Sequence, residues 1–152
     1  MKTDTSSKII LMADDDADDR LLAQDALQES ASGLEMRFVA DGAELMDYLR
    51  RRNKYVAPSS APIPGLIILD LNMPRMDGRE ALKEIKSDPL LRKIPVVILT
   101  TSRADTDISK IYDLGANSFI SKPAAFDVLV STMKSLGDYW FKIVVSPHTN
   151  LI

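Results

Sequence analysis

Leu66-Ile67-Ile68-Leu69-Asp70-Leu71-Asn72-Met73-Pro74 is the stretch on which the fold of this chain turns. A single charge, Asp70, interrupts its apolar run. Gly65 and Pro74 bound a segment too short for a globular helix, so it is predicted to be a buried strand of a parallel sheet. A carboxylate at the end of such a strand is costly unless it is solvated, paired or bound to a metal. Open parallel sheets bind ligands outside the carboxyl ends of their strands. Asp70 is therefore the first residue to explain.

Four further apolar runs surround it. Lys8 to Ala13 reads as a strand, and Asp14, Asp15, Asp16, Asp18 and Asp19 crowd its end. Asp16 suits an N-cap, so a helix is expected to about Ser30, with Gly33 beyond it. Leu34 to Ala40 is predicted to be a strand. Asp41-Gly42 then opens a helix with Leu45, Tyr48 and Leu49 on one face, closed by Arg50, Arg51, Arg52 and Lys54. Val56 to Pro64 holds prolines and serines and is expected to be a loop. After Asp70, a loop to Gly78 precedes a helix carrying Leu82 and Ile85. Pro95 to Leu99 is a fourth strand, ending at Thr100, Thr101 and Ser102. Ile108, Ile111 and Tyr112 mark a helix that Gly115 stops. Ser118 to Ser121 is a fifth strand, followed by Lys122-Pro123. Phe126, Leu129, Val130, Met133 and Leu136 share one helical face.

Strand and helix thus alternate five times. Right-handed crossovers and burial on both faces make this an α/β fold, a doubly wound five-stranded parallel sheet flanked by helices. Residues 1–7 are expected to be a flexible N-terminus and 8–145 one domain, whose last helix and aromatic tail begin near 124. Residues 146–152 would form a C-terminal tail.

The chain has 152 residues, enough for one domain with a real core. Its net charge of -3 argues against non-specific binding to nucleic acid. Without cysteine there is no disulfide or thiol chemistry, and the single histidine, His148, lies in the tail. No apolar run reaches membrane-span length, and Met1 to Ser7 lacks the apolar core of a signal peptide. A soluble cytoplasmic protein without membrane or nucleic-acid partners is expected.

Parallel strands would deliver Asp14, Asp15, Asp70, Thr100 and Lys122 to one sheet edge. Converging carboxylates repel, and a divalent cation resolves the repulsion. All-oxygen donors suit Mg²⁺, or Mn²⁺, rather than zinc or copper. Lys122 and Thr100 are donors for phosphate oxygens. A carboxylate nucleophile beside a metal and a lysine is an arrangement for making an aspartyl phosphate. Each piece has a plainer explanation: acids before a helix cap it, Thr-Thr-Ser makes a turn, Lys-Pro is a common loop dipeptide, and Asp70 could bind a backbone amide. Those explanations do not predict that all of them meet at one edge.

Taken in order, these residues resemble the receiver domain of two-component response regulators over about Lys8 to Leu136. Ile9 to Asp15 is similar to the first strand with its acidic pair. Leu69 to Pro74, with Met76-Asp77-Gly78, is similar to the phosphoacceptor segment, Pro95 to Thr101 to the switch-threonine strand, and Phe119-Ile120-Ser121-Lys122-Pro123 to the aromatic and lysine signature. The resemblance implies a flavodoxin-like receiver fold, not an enzyme, that takes a phosphoryl group from the phosphohistidine of a sensor histidine kinase. It implies Asp70 as phosphoacceptor, and Asp14, Asp15, Asp70 and the Asn72 backbone carbonyl as metal ligands, Asp14 partly through water. Thr100 and Lys122 would hold the phosphoryl group, and Phe119 would turn inward as Thr100 moves. Asn72 and Ser102 would tune hydrolysis, and the Lys122–Pro123 bond would be cis. The ADDDADDR start, the long loop before the third strand, and Gly137-Asp138-Tyr139-Trp140-Phe141 resemble the single-domain regulators paired with phytochrome kinases. That likeness implies a phytochrome kinase partner and a homodimer through the last helix–strand–helix face.

Tyr139, Trp140, Phe141, Ile143, Val144 and Val145 follow the last core helix. They either pack back on their own domain or form a dimer or partner surface. Too few residues follow Trp140 for a helix-turn-helix, so output is expected to pass through another protein or a phosphorelay. The competing reading is a haloacid-dehalogenase-like phosphohydrolase. Those enzymes place a second acid two residues after the nucleophile, where this chain has Asn72, which cannot donate and recover a proton. A phosphate-independent binding module is a third reading.

Overall fold

The computed structural model describes residues 8–57, 60–101 and 105–145, the side chains of 105–107 excepted. The expected flexible N-terminus, Ser102 and the tail with His148 lie outside the described residues. The elements run β1 (Ile9–Ala13), α1 (Ala17–Glu29), β2 (Glu35–Val39), α2 (Gly42–Arg50), β3 (Leu66–Leu69), α3 (Gly78–Ser87), β4 (Val96–Thr100), α4 (Asp105–Asp113), β5 (Ser118–Ser121) and α5 (Phe126–Asp138).

All strands are parallel, in the order β2-β1-β3-β4-β5. The period of two along each strand divides the core. Leu11, Ala13, Ile67, Leu69, Val96 and Ile98 face Leu45, Met46, Leu82, Ile85 and Ile111 of α2, α3 and α4. Ile10, Met12, Leu66, Ile68, Val97 and Leu99 face Ala23, Leu27, Leu129, Met133 and Leu136 of α1 and α5. Each fully buried Leu or Ile contributes about 1.5–3 kcal/mol, so β1, β3 and β4, buried along their whole length, anchor the fold. The edge strands β2 and β5 are only partly covered.

Helix starts follow local chemistry. Asp16 caps α1 by accepting from the amides of Asp18 and Asp19, Asp41 caps α2 through Glu44, and Asp77 and Glu80 form a capping box on α3. Arg51 ends α2 in the left-handed conformation, so Arg52 and Lys54 lie beyond the helix and pair back to Asp47 and Glu44. Phe126 sits in the first turn of α5 and is exposed rather than on its buried face.

The tail divides between the two readings of it. A π-helical turn, Tyr139–Ile143, extends α5. Trp140 and Phe141 pack against the α1/α5 core, whereas Tyr139, Ile143 and Val145 stand exposed.

Candidate functional site

The sheet order explains how residues far apart in sequence meet. β1 and β3 are neighbours with Ala13 opposite Leu69, so Asp14 and Asp70 leave adjacent strand ends. The Asp70 amide still donates to the Ala13 carbonyl at 3.0 Å, continuing the ladder by one residue. β4 ends beside them at Thr100. The Lys122 amide donates to the Thr100 carbonyl at 2.9 Å, which extends the β4–β5 pairing to the lysine.

Side chains then converge. The Thr100 hydroxyl donates to Asp70 Oδ1 at 2.8 Å, and the Asn72 amide donates to the same oxygen at 3.3 Å. Lys122 Nζ donates to Asp70 Oδ2 at 3.0 Å, Asp14 Oδ2 at 2.8 Å and Asp19 Oδ2 at 2.7 Å. Asp14 is completely buried and also accepts from the Asp16 amide at 2.9 Å. Burial pushes the Asp14 carboxyl above its ordinary range despite the ammonium, which it shares with two other acids. Burial alone would lower Lys122, but hydrogen bonds to Asp14, Asp19 and Asp70 outweigh it and raise the ammonium well above its usual value.

One carboxylate oxygen from each of Asp14, Asp15 and Asp70 lies within 4.8 Å of the others. Asp15 is exposed, Asp14 and Asp70 are buried, and none of these donors is nitrogen or sulfur. Such a set fits a hard divalent cation. The ammonium lodged between Asp14 and Asp70 shows that the pocket attracts positive charge.

The segment after Asp70 is held from two sides. The Gly78 amide donates to the Leu71 carbonyl at 2.9 Å, and a Cβ on Gly78 would come within 2.2 Å of the Asp70 carbonyl oxygen. Only glycine permits that approach. Arg75, at φ 64°, pairs through Nη2 with Asp41 Oδ2 at 2.7 Å. The cap of α2 is thereby tied to the loop that carries Asn72.

The structure brings Asp14, Asp15, Asp70, Thr100 and Lys122 to one sheet edge, as their places after the strands predict. The sequence marks Asp19 only as a helix-start acid and gives no sign of the Asp41–Arg75 pair. Asp19 stands in the first turn of α1, directly after the acidic end of β1, and that placement is the signal that could have found it. Asn72 is exposed at the site, and Phe119 is half-buried against the core under α4, its amide accepted by the Tyr112 hydroxyl at 3.1 Å. The expected cis bond before Pro123 is corrected: no peptide bond among the described residues is cis. With Lys122 held in strand register by Thr100, its side chain reaches all its partners from the trans form, which X–Pro bonds ordinarily prefer.

The response regulator receiver domain family matches residues 10–134. Response regulator Rcp1 of Synechocystis sp. is 36% identical over 140 residues, covering 92% of this chain and 93% of Rcp1. The crystal structure of the phosphorylated cyanobacterial phytochrome response regulator RcpA superposes with a TM-score of 0.85 at 42% identity, covering 93% of this chain and 99% of RcpA. That of the Mn²⁺-bound form of Rcp1 gives 0.81 at 36% identity, over 91% and 98% of the two chains. With the family matched across most of its length and the fold and acidic strand ends in agreement, this chain belongs to the response regulator receiver domain family.

Proposed function

We propose that this protein is a phosphorylation-controlled signalling switch and not an enzyme acting on an outside substrate. A carboxylate oxygen of Asp70 attacks the phosphorus of a histidine kinase phosphohistidine. An O–P bond forms, the N–P bond breaks, and its electron pair returns to the imidazole. The observation that carries this reading is the pair of donors on Asp70: the Lys122 ammonium at 3.0 Å on one oxygen and the Thr100 hydroxyl at 2.8 Å on the other. Both can be transferred to phosphoryl oxygens, where charge-assisted hydrogen bonds are strong. Asp14, Asp15, Asp70 and the Asn72 carbonyl would hold Mg²⁺. When bound, the ion neutralises charge on the incoming phosphoryl oxygens.

Movement of Thr100 towards the phosphoryl group would draw Phe119 inward and alter the α4–β5–α5 face. The exposed Tyr139, Ile143 and Val145 extend that face, and we read it as a homodimer surface. The kinase partner is of the phytochrome class, by analogy with RcpA, and the protein acts in the cytoplasm; among the described residues no helix is long and apolar enough to cross a membrane. Asn72 and Ser102 would set the lifetime of the phosphate.

The test is phosphotransfer from a panel of histidine kinases of the same cell, with and without Mg²⁺. Rapid labelling by a phytochrome kinase, dependent on the ion, is expected. If no kinase labels the protein in the presence of Mg²⁺, the proposal fails.

A further inference from the structure

Asp19 lies in the first turn of α1, and its contact is the shortest that Lys122 makes, 2.7 Å against 2.8 Å to Asp14 and 3.0 Å to Asp70. An ammonium has three N–H donors. Here each has its own carboxylate. Asp14 and Asp70 also belong to the acid group whose oxygens converge closely enough to hold a metal, and Asp19 does not. An ammonium and a divalent cation on the same carboxylates repel each other. When a cation takes Asp14 and Asp70, Asp19 is the partner that Lys122 can keep.

We propose that Asp19 is a positioning residue that holds the Lys122 ammonium on the α1 side of the pocket, so that Asp14 and Asp70 can accept a divalent cation while the lysine stays within reach of a phosphoryl group on Asp70. The inference rests on the metal site of the preceding section. Asp19 does not bind the cation. It removes a competitor for the carboxylates that do, and without it Lys122 has only metal-ligating acids to pair with.

Free Mn²⁺, counted by electron paramagnetic resonance, measures the affinity of the full chain and of its Asp19→Asn, Asp18→Asn, Lys122→Met and Asp19→Asn/Lys122→Met variants. Asp18 is an exposed neighbour in the same turn, and its carboxylate is not a partner of Lys122, so Asp18→Asn reports the plain loss of one charge. Asp19→Asn is expected to weaken Mn²⁺ binding about fivefold beyond Asp18→Asn, the upper range for a partly exposed ion pair. In the Lys122→Met background the excess should vanish, because the two residues act as a unit. Asp19→Glu, which keeps the charge on a longer arm, should return close to parental affinity.

Equal effects of Asp19→Asn and Asp18→Asn would overturn the inference, as would an excess that persists without Lys122. In either case a parent that binds Mn²⁺ leaves the function of the site standing. A parent that binds no Mn²⁺ defeats the metal site itself, and this inference with it.

Discussion

Lys122→Met removes the only ammonium that pairs with these acids among the described residues, while keeping most of the apolar stem. Lys122 is 15% exposed in its side chain, Asp14 0%, Asp70 8% and Asp19 35%. Removing one partner of a fully buried pair costs about 3–5 kcal/mol. Water reaches Asp19 and part of Lys122, which places the expected loss lower, at about 2–3 kcal/mol. With urea slopes of about 1–3 kcal/mol/M, the unfolding midpoint should fall by about 1–2 M in chelator. Two conditions should reverse the loss. Millimolar Mg²⁺ supplies another cation to the same acids and should restore most of the midpoint. Acid should also help. Burial already raises the Asp14 carboxyl, and without the lysine nothing from Nζ pulls it down. A group raised in the folded state stabilises below its unfolded pKa and loses that contribution as pH rises through the folded value. The deficit of Lys122→Met should therefore shrink as pH falls into the carboxylate range. A midpoint unchanged in chelator, or lowered equally with and without Mg²⁺, would refute the picture of one ammonium balancing three acids.

Gly78→Ala drives a Cβ to within 2.2 Å of the Asp70 carbonyl oxygen and 2.8 Å of Leu71 Cα, backbone atoms that cannot swing aside. Overpacking of this kind costs about 1–3 kcal/mol, so urea denaturation should show that loss and the rate of Asp70 labelling should fall as the loop shifts. Glu44 governs a separate acid-side effect. Burial alone would raise its carboxyl, but the Tyr55 hydroxyl at 2.6 Å, the Ala40 amide at 2.8 Å and Lys54 at 2.9 Å outweigh it and hold the carboxyl below its ordinary value. A lowered folded pKa contributes stability above the unfolded value, about 4.3, and loses it as pH falls through the folded one. Urea midpoints measured from neutral pH downward should therefore decline less steeply for Glu44→Gln than for the parent, and identical slopes would contradict this.

The fold was legible because its central strands are uninterrupted apolar runs with turn residues at both ends, and because acids stand where three helices begin. β3 begins at Leu66, as its apolar run predicts, and ends at Leu69, and β5 spans the predicted Ser118–Ser121. Five of the residues that meet at the site could be named because strand ends concentrate polar groups that a core would reject. The rest depended on three-dimensional reach. Asp19 looks like any first-turn acid until Lys122 is seen to extend to it. Asp41 and Arg75 are thirty-four positions apart, and nothing local in either segment announces their pairing. Trp140 and Phe141 turn inward while Tyr139 and Ile143 do not, a division that the composition of the tail does not announce.

The central claim is that Asp70 itself carries the phosphoryl group, presented by Thr100 and Lys122. Its most direct measurement is the intact mass of the parent and of Asp70→Asn after exposure to a small phosphodonor with Mg²⁺, followed by location of the modified residue in peptides. The account predicts a single added phosphoryl group on the parent, found at Asp70 and dependent on the ion, and none on Asp70→Asn. Addition to Asp70→Asn at the parental level would contradict it.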